Sequence, residues 1–274
     1  MNKNKHLSAC LIFFLVLCIY PPLIFSQEEQ AKNTDEKVIP QVITKIRKSL
    51  PHLQDSGTAL LDNYGNNIAL DTEVEEGRIA LNCAGFAKYL ADGFYAPLKK
   101  EQGFSKNIYM SPQELRVRFF DLRGDTFTSQ FEWTRDPYFA LDWTRNIANA
   151  LGKIRNDGFT GHEDHDIKSN KVWHYLDDKG YPAKYLEKVL KPLVKENPER
   201  WYLASMNDWY GKEPELWQHH HIICLFPYYD DTDKFKLVIF ERCRETSFEN
   251  FLIRYPDSYL HLVWLDGRGR FELK

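Results

Sequence analysis

Apolar and polar positions alternate along this chain with two different periods, helical in the first two thirds and strand-like in the last quarter. Between residues 38 and 50, Val38, Ile39, Val42, Ile43 and Ile46 recur at helical spacing, which predicts a short amphipathic helix. Residues 55–67, rich in Asp, Gly and Asn, predict a loop. A second helix follows from Asn82, a residue suited to N-capping, with Cys83, Phe86, Ala87, Leu90 and Phe94 on one face. Residues 111–120 begin like a capped segment and turn alternating. Residues 141–154 have a helical pattern, 158–170 read as a polar loop, and 182–195 as an amphipathic helix that Pro192 kinks or ends.

Residues 201–206 predict a strand. The apolar runs 219–229 and 235–242 flank Asp230-Asp231-Thr232-Asp233 and predict a hairpin. Residues 258–265 and 270–273, joined by Asp266-Gly267-Arg268-Gly269, predict another. Helices first and an antiparallel sheet afterwards define an α+β chain, not alternating βαβ units. No internal repeat is present.

The N-terminus has its own pattern. Lys3 and Lys5 precede a nearly unbroken apolar stretch over 7–20; Pro21 and Pro22 follow, then the small Ser26, and no acidic residue occurs before Glu28. This predicts a signal peptide over 1–26, cleaved after Ser26, and an exported protein, periplasmic or secreted. The alternative is an uncleaved membrane anchor, since 7–25 is close to the ~20 apolar residues that a span needs. Cys10 and Cys18 lack the preceding context of a lipoprotein signal. Residues 27–50 then form a polar lead-in and the short helix, and 51–274 the main domain.

Composition narrows the function. Formal net charge is −3, and the first 26 residues carry only Lys3 and Lys5 as charged groups, so the remainder stands at about −5. No basic concentration points to nucleic acid. Trp 7, Tyr 15 and Phe 18 supply ample material for a core, and could also line a cleft. Beyond the signal only Cys83, Cys224 and Cys243 remain. This odd number leaves at least one thiol unpaired unless another chain supplies a partner.

Cys83 stands where a nucleophile gains most from its surroundings. Helix N-termini lower a thiol's pKa and offer N–H groups to a developing oxyanion. Ala84 and Gly85 leave room above the sulfur. An ordinary buried cysteine on an apolar helix face is the alternative. The run Asn82-Cys83-Ala84-Gly85-Phe86-Ala87-Lys88-Tyr89-Leu90 resembles the nucleophile helix of the NlpC-type papain-like cysteine peptidases and amidases, which typically read Asp-Cys-Ser-Gly-Phe. The resemblance implies a papain-like fold: a nucleophile helix packed on a C-terminal antiparallel sheet, one strand bringing a histidine and the next a polar orienting group. His219-His220-His221 opens one such strand, and Glu241 ends the next. Pairing Tyr228 with Lys234 would set His221 opposite Glu241 on one face. Asn82 and Ala84 replace the family's Asp and Ser, and its usual Gly-Asp at the start of the first strand is absent. The interval from Cys83 to His221 (221 − 83 = 138 residues) implies a large insertion around 100–200.

His219 and His221 would share a strand face and could ligate a metal, but no third ligand stands nearby at a defined spacing. Gly161-His162-Glu163-Asp164-His165-Asp166 is dense in metal-capable groups within a polar loop, where solvated charge is the ordinary reading. Tyr64 is a candidate oxyanion donor or a structural tyrosine. In the assumed register Cys224 faces Val238 and Cys243 faces His219, out of reach of one another. The reading is thus an exported cysteine hydrolase using Cys83, His221 and Glu241 on an amide bond, with no metal and no cofactor. By resemblance its substrate is cell-wall peptide or another extracytoplasmic amide. The alternatives are a non-catalytic envelope binding module on the same scaffold, or an acyl or thioester transferase.

Overall fold

A computed structural model of the chain describes residues 38–57, 59–61, 67–69, 73–105, 108–115, 138–155, 165–168, 174–177, 179–209 and 217–274. Residues 1–37, which include the segment expected to be a signal peptide, Tyr64, and residues 116–120 and 158–164 lie outside them.

The sheet has six strands: β5 (Tyr181–Pro182), β6 (Arg200–Trp209), β7 (Trp217–Tyr229), β8 (Phe235–Glu241), β9 (Arg244–Thr246) and β10 (Tyr259–Asp266). Their spatial order is β5-β10-β6-β7-β8-β9, and every neighbouring pair is antiparallel. Helices cover both faces. On one, α1 (Val38–Ser49), α2 (Cys83–Glu101) and α4 (Phe139–Arg155) bring Ile39, Phe86, Leu90 and Ile147 onto Leu203, Ile222, Cys224 and Phe240. On the other, α5 (Leu186–Glu196) and α6 (Phe248–Arg254) bring Leu186, Val189 and Phe251 onto Ala204, Met206, Ile223 and Ile239. A central strand buried on both faces needs apolar residues at consecutive positions, which is why β7 carries the run Ile222-Ile223-Cys224-Leu225-Phe226 without polar interruption. A further short helix, α3 (Pro112–Leu115), makes six α-helices among the described residues and completes a mixed α+β architecture. No described helix is long and apolar enough to cross a membrane.

The helix opening at Asn82 forms as its sequence predicts. The Asn82 side chain accepts from the Gly85 N–H at 2.7 Å, a cap that stabilises a helix by about 1 kcal/mol. From Ala84 to Pro97 every residue of α2 is buried, the mark of an interior helix. Lys88 and Asp92 are buried one turn apart and pair with each other.

Several expectations are corrected. Residues 55–67 are not all loop: β1 (Leu53–Asp55) pairs in parallel with β4 (Ile79–Leu81), and β2 (Ala59–Leu61) pairs antiparallel with β3 (Asn67–Ala69). Sheet therefore precedes the main helices. The helix expected over 182–195 begins at Leu186 and runs through Pro192 to Glu196. Burial of Leu186, Val189, Leu190 and Val194 outweighs the hydrogen bond that proline removes, a cost of about 3 kcal/mol. Residues 270–273 form no strand. Phe271 packs on Phe94, ring centroids 4.6 Å apart, and the Glu272 N–H donates to the Gly93 carbonyl at 2.8 Å, so the tail bonds to α2 instead of β10.

Candidate active site

Three local features bring Cys83 and His221 together. Strand β4 ends at Leu81 and feeds directly into the Asn82 cap, fixing Cys83 as the first residue of α2. Strand β8 ends at Glu241, and its pairing with β7 starts only at Cys224. The part of β7 before Cys224, including His221, thus continues past the β8 ladder. There the His221 ring and the backbone N–H groups of Ile222 and Ala84 lie near enough to the Cys83 thiol to favour its ionised form.

The register differs from the assumed one by two residues. Tyr228 pairs with Lys236, and Cys224 faces Phe240, not Val238. A shift of two preserves which residues share a face, whereas a shift of one would have sent Glu241 to the other side. Glu241 therefore still meets His221, along a diagonal, with Nε2 and Oε2 3.0 Å apart. Nε2 being taken, Nδ1 is the nitrogen left for the thiol.

The three histidines do not alternate as a regular strand would have them. Met206 pairs with His221 and the next residue, Asn207, pairs with His219, so His220 is an extra residue and β7 bulges there. His219 and His221 consequently lie on opposite faces, which removes them as a shared ligand pair. His219 accompanies Ser205, 2.5 Å from its Nδ1, and stacks on Tyr138. His220 Nδ1 lies 3.2 Å from the Gln218 carbonyl. Among the described residues, no group of three or more His, Cys, Asp or Glu gathers as metal ligands. Of the metal-capable loop, His165 packs on Trp264 and Asp166 pairs with Arg145 at 2.5 Å; residues 161–164 lie outside the described set.

Cys243 does not face His219. It sits in the β8–β9 turn, where Arg242 and Cys243 both have positive φ (44° and 60°), and its sulfur is 3.5 Å from the Gln54 carbonyl oxygen. Cys83, Cys224 and Cys243 are all free thiols.

Burial pushes the Cys83 thiol up, but the hydrogen bond and charge of His221 outweigh it, and the net shift is downward. Burial likewise pushes the His221 imidazolium down, yet the bonds to Cys83 and Glu241 raise it to about 9. For Glu241, burial opposes ionisation, while the hydrogen bonds from His221, Arg254 and Thr246 hold its carboxyl well below the usual range. In these directions Cys83 and His221 favour each other's charged forms, and the Glu241 carboxylate favours the imidazolium. Burial without such a partner drives the Cys224 thiol well above its ordinary value.

Sequence reasoning missed the residues that surround this trio. The Arg254 guanidinium donates to Glu241, the Thr246 hydroxyl donates to the same oxygen at 2.8 Å, and the Tyr255 ring lies 6.0 Å from that of His221. Trp143 on α4 donates its indole N–H to the Ala84 carbonyl at 3.0 Å, clamping the turn that carries Cys83. No motif spacing marks any of them. Comparison of the chain with protein-family models, curated proteins and solved structures gives no match.

Proposed function

We propose that this chain is an exported, papain-like cysteine hydrolase that cleaves an amide bond in cell-wall peptide or a related extracytoplasmic substrate. The observation that carries the reading is the imidazole of His221, held by Glu241 at 3.0 Å from its Nε2 and close enough to Cys83 that each favours the other's charged form. A thiolate at a helix N-terminus, an imidazolium in contact with it and a buried carboxylate on the far nitrogen meet the requirements of nucleophilic acyl transfer. The order of elements supports the papain-like assignment, with a nucleophile helix ahead of the sheet and a long interval over 100–200. The N-terminal charge and apolar pattern supports export.

In this mechanism the Cys83 thiolate attacks the carbonyl carbon, and the first-turn N–H groups of α2 donate to the oxyanion. His221 gives its Nδ1 proton to the departing amine, leaving a thioester on Cys83. His221 then takes a proton from water as the hydroxide attacks the thioester. The acid leaves, and the proton is shared again between sulfur and imidazole. Glu241 keeps the ring oriented throughout.

The test uses purified muropeptides and iodoacetamide. Wild type should cleave the peptide and alkylate at Cys83 near neutral pH, and Cys83→Ala should fold normally and lose cleavage. Full cleavage by Cys83→Ala overturns the nucleophile. A native Cys83 that resists iodoacetamide and reacts only when unfolded favours the non-catalytic binding module. Transfer of the acyl group to an added amine in preference to water assigns acyl transfer in place of hydrolysis.

A further inference from the structure

We infer that Arg254 is a positioning residue for this site, locking the Glu241 carboxylate in the rotation that presents one oxygen to His221. The inference rests on the Cys83–His221 reading above and adds a residue that neither motif nor resemblance supplies. Its basis is the division of labour between the two carboxylate oxygens. Oε1 accepts from the Arg254 guanidinium and from the Thr246 hydroxyl at 2.8 Å; Oε2 faces His221 Nε2 at 3.0 Å. Arg254 also donates to the Thr246 oxygen at 3.2 Å, which directs that hydroxyl's own proton toward Glu241. A carboxylate with one oxygen doubly occupied cannot rotate without breaking two bonds. The Glu241 side chain is fully buried, so water is poorly placed to substitute for either donor.

Arg254 is set in place by α6. Ser247 caps that helix, its hydroxyl accepting from the Asn250 N–H at 3.1 Å, and Phe251 is fully buried against the sheet. The same helix end delivers Tyr255 to the His221 ring. The titratable and charged groups around His221 and Glu241 come from five elements. They are Cys83 on α2, His220 on β7, Arg242 in the β8–β9 turn, Arg244 on β9, and Arg254 with Tyr255 at the end of α6. Arg242 is committed to Asp55 on β1 at 2.9 Å. Arg254 is the guanidinium in direct contact with Glu241.

Removing that cation lets Glu241 take up a proton at a higher pH. A neutral Glu241 no longer supports the imidazolium, and the thiolate is lost with it. The measurement is the pH profile of Cys83 alkylation by iodoacetamide in the full-length protein, with circular dichroism as a check on folding. In Arg254→Met the acid midpoint should rise by about one pH unit, a roughly tenfold slower reaction on the acid limb. Arg254→Lys should recover most of this shift. Glu241→Gln/Arg254→Met, which leaves no buried carboxylate unpaired, should match Glu241→Gln alone, and it serves if the single variant does not fold. A folded Arg254→Met with an unmoved midpoint, or a further shift in the double variant, overturns the positioning role while leaving the dyad intact. A wild-type Cys83 that is inert near neutral pH overturns the dyad itself.

Discussion

The ring of His221 meets the carboxylate of Glu241 on a diagonal. Nε2 lies 3.0 Å from Oε2, although the strand register, continued one rung past Cys224 and Phe240, sets Glu241 opposite Ile223. A direct cross-strand pair would have pointed the two side chains outward in parallel. The diagonal brings the carboxylate to Nε2 and leaves Nδ1 open. The same geometry brings Glu241 under α6, where Arg254 and Thr246 reach it.

Glu241→Gln tests what the charge contributes. The amide keeps an oxygen able to accept from Nε2–H, so the ring orientation can survive. The imidazolium loses its buried counter-charge. The expected result is a fall in kcat/KM of about one to two orders of magnitude, expressed in kcat more than in KM. Steady-state kinetics on the substrate established for the wild type would measure it. Unchanged kcat would mean that orientation alone is what Glu241 supplies.

The pH dependence has a definite sign. The folded His221 sits at about 9, above its ordinary 6.5. Its contribution to stability is therefore complete below about 6.5 and disappears as pH rises through about 9. Glu241 is depressed from 4.5, so its contribution is present above that value and is lost as pH falls through its lower folded value. Melting temperature should therefore decline from about pH 7 to about pH 10, and less so in His221→Gln. Cleavage should fail over the same alkaline range, because a neutral imidazole has no proton for the departing amine. An alkaline decline in melting temperature equally steep in His221→Gln would place its origin elsewhere.

A second buried network lies on the α2 and α4 face of the sheet, opposite the face that carries the His221 and Glu241 side chains. Arg145 is fully buried and pairs with Asp166 at 2.5 Å; Lys168 is 3.2 Å and His261 3.5 Å from the same carboxylate oxygen. Asp166→Asn leaves the guanidinium without a counter-charge, a situation that typically costs about 3–5 kcal/mol. Urea unfolding should register that loss. Alkylation of Cys83 in the folded fraction should stay at the wild-type rate, since none of these groups touches His221. A slowed alkylation would show coupling between the faces through the bulge at His219 and His220.

Much of this site was legible because its chemistry is local. The Asn82 cap, the Cys83 position and the apolar run after His221 lie in short segments whose pattern is dictated by the helix start and the buried strand. What could not be read depends on tertiary packing. The bulge at His220 has no Gly or Pro to mark it. The β8–β9 turn uses Arg242 and Cys243 at positive φ, where Gly or Asn would have signalled it. Helix α6 has seven residues, too few for a periodicity to stand out, so Arg254 remained one charge among many. The tail over 270–273 looked like a strand because alternation cannot tell pairing with a sheet from packing on a helix. The hairpin survived a two-residue error in register because face parity, and not the partner's identity, decides whether Glu241 can meet His221.

The last point can be tested at the turn itself. Asp230 holds the β7–β8 loop: its Oδ1 accepts from the Thr232 N–H at 2.9 Å, the Thr232 hydroxyl at 2.7 Å and the Lys234 N–H at 3.0 Å. If the turn set the register, Asp230→Ala would let the strands slip and separate Glu241 from His221. The strand interior argues otherwise. Ile239 and Phe240 are fully buried on opposite faces of the sheet, Ile239 on the α5 and α6 side and Phe240 against the α2 core. A one-residue slip would exchange their faces, and a two-residue slip would move Phe240 away from Cys224. Either costs more buried apolar contact than the loop's three bonds can return. Asp230→Ala should therefore lower the melting temperature while leaving the midpoint of Cys83 alkylation where it is in the wild type. A displaced midpoint in that variant would assign the register to the turn, and the meeting of Glu241 with His221 would then depend on the Asp230 carboxylate, well away along the hairpin.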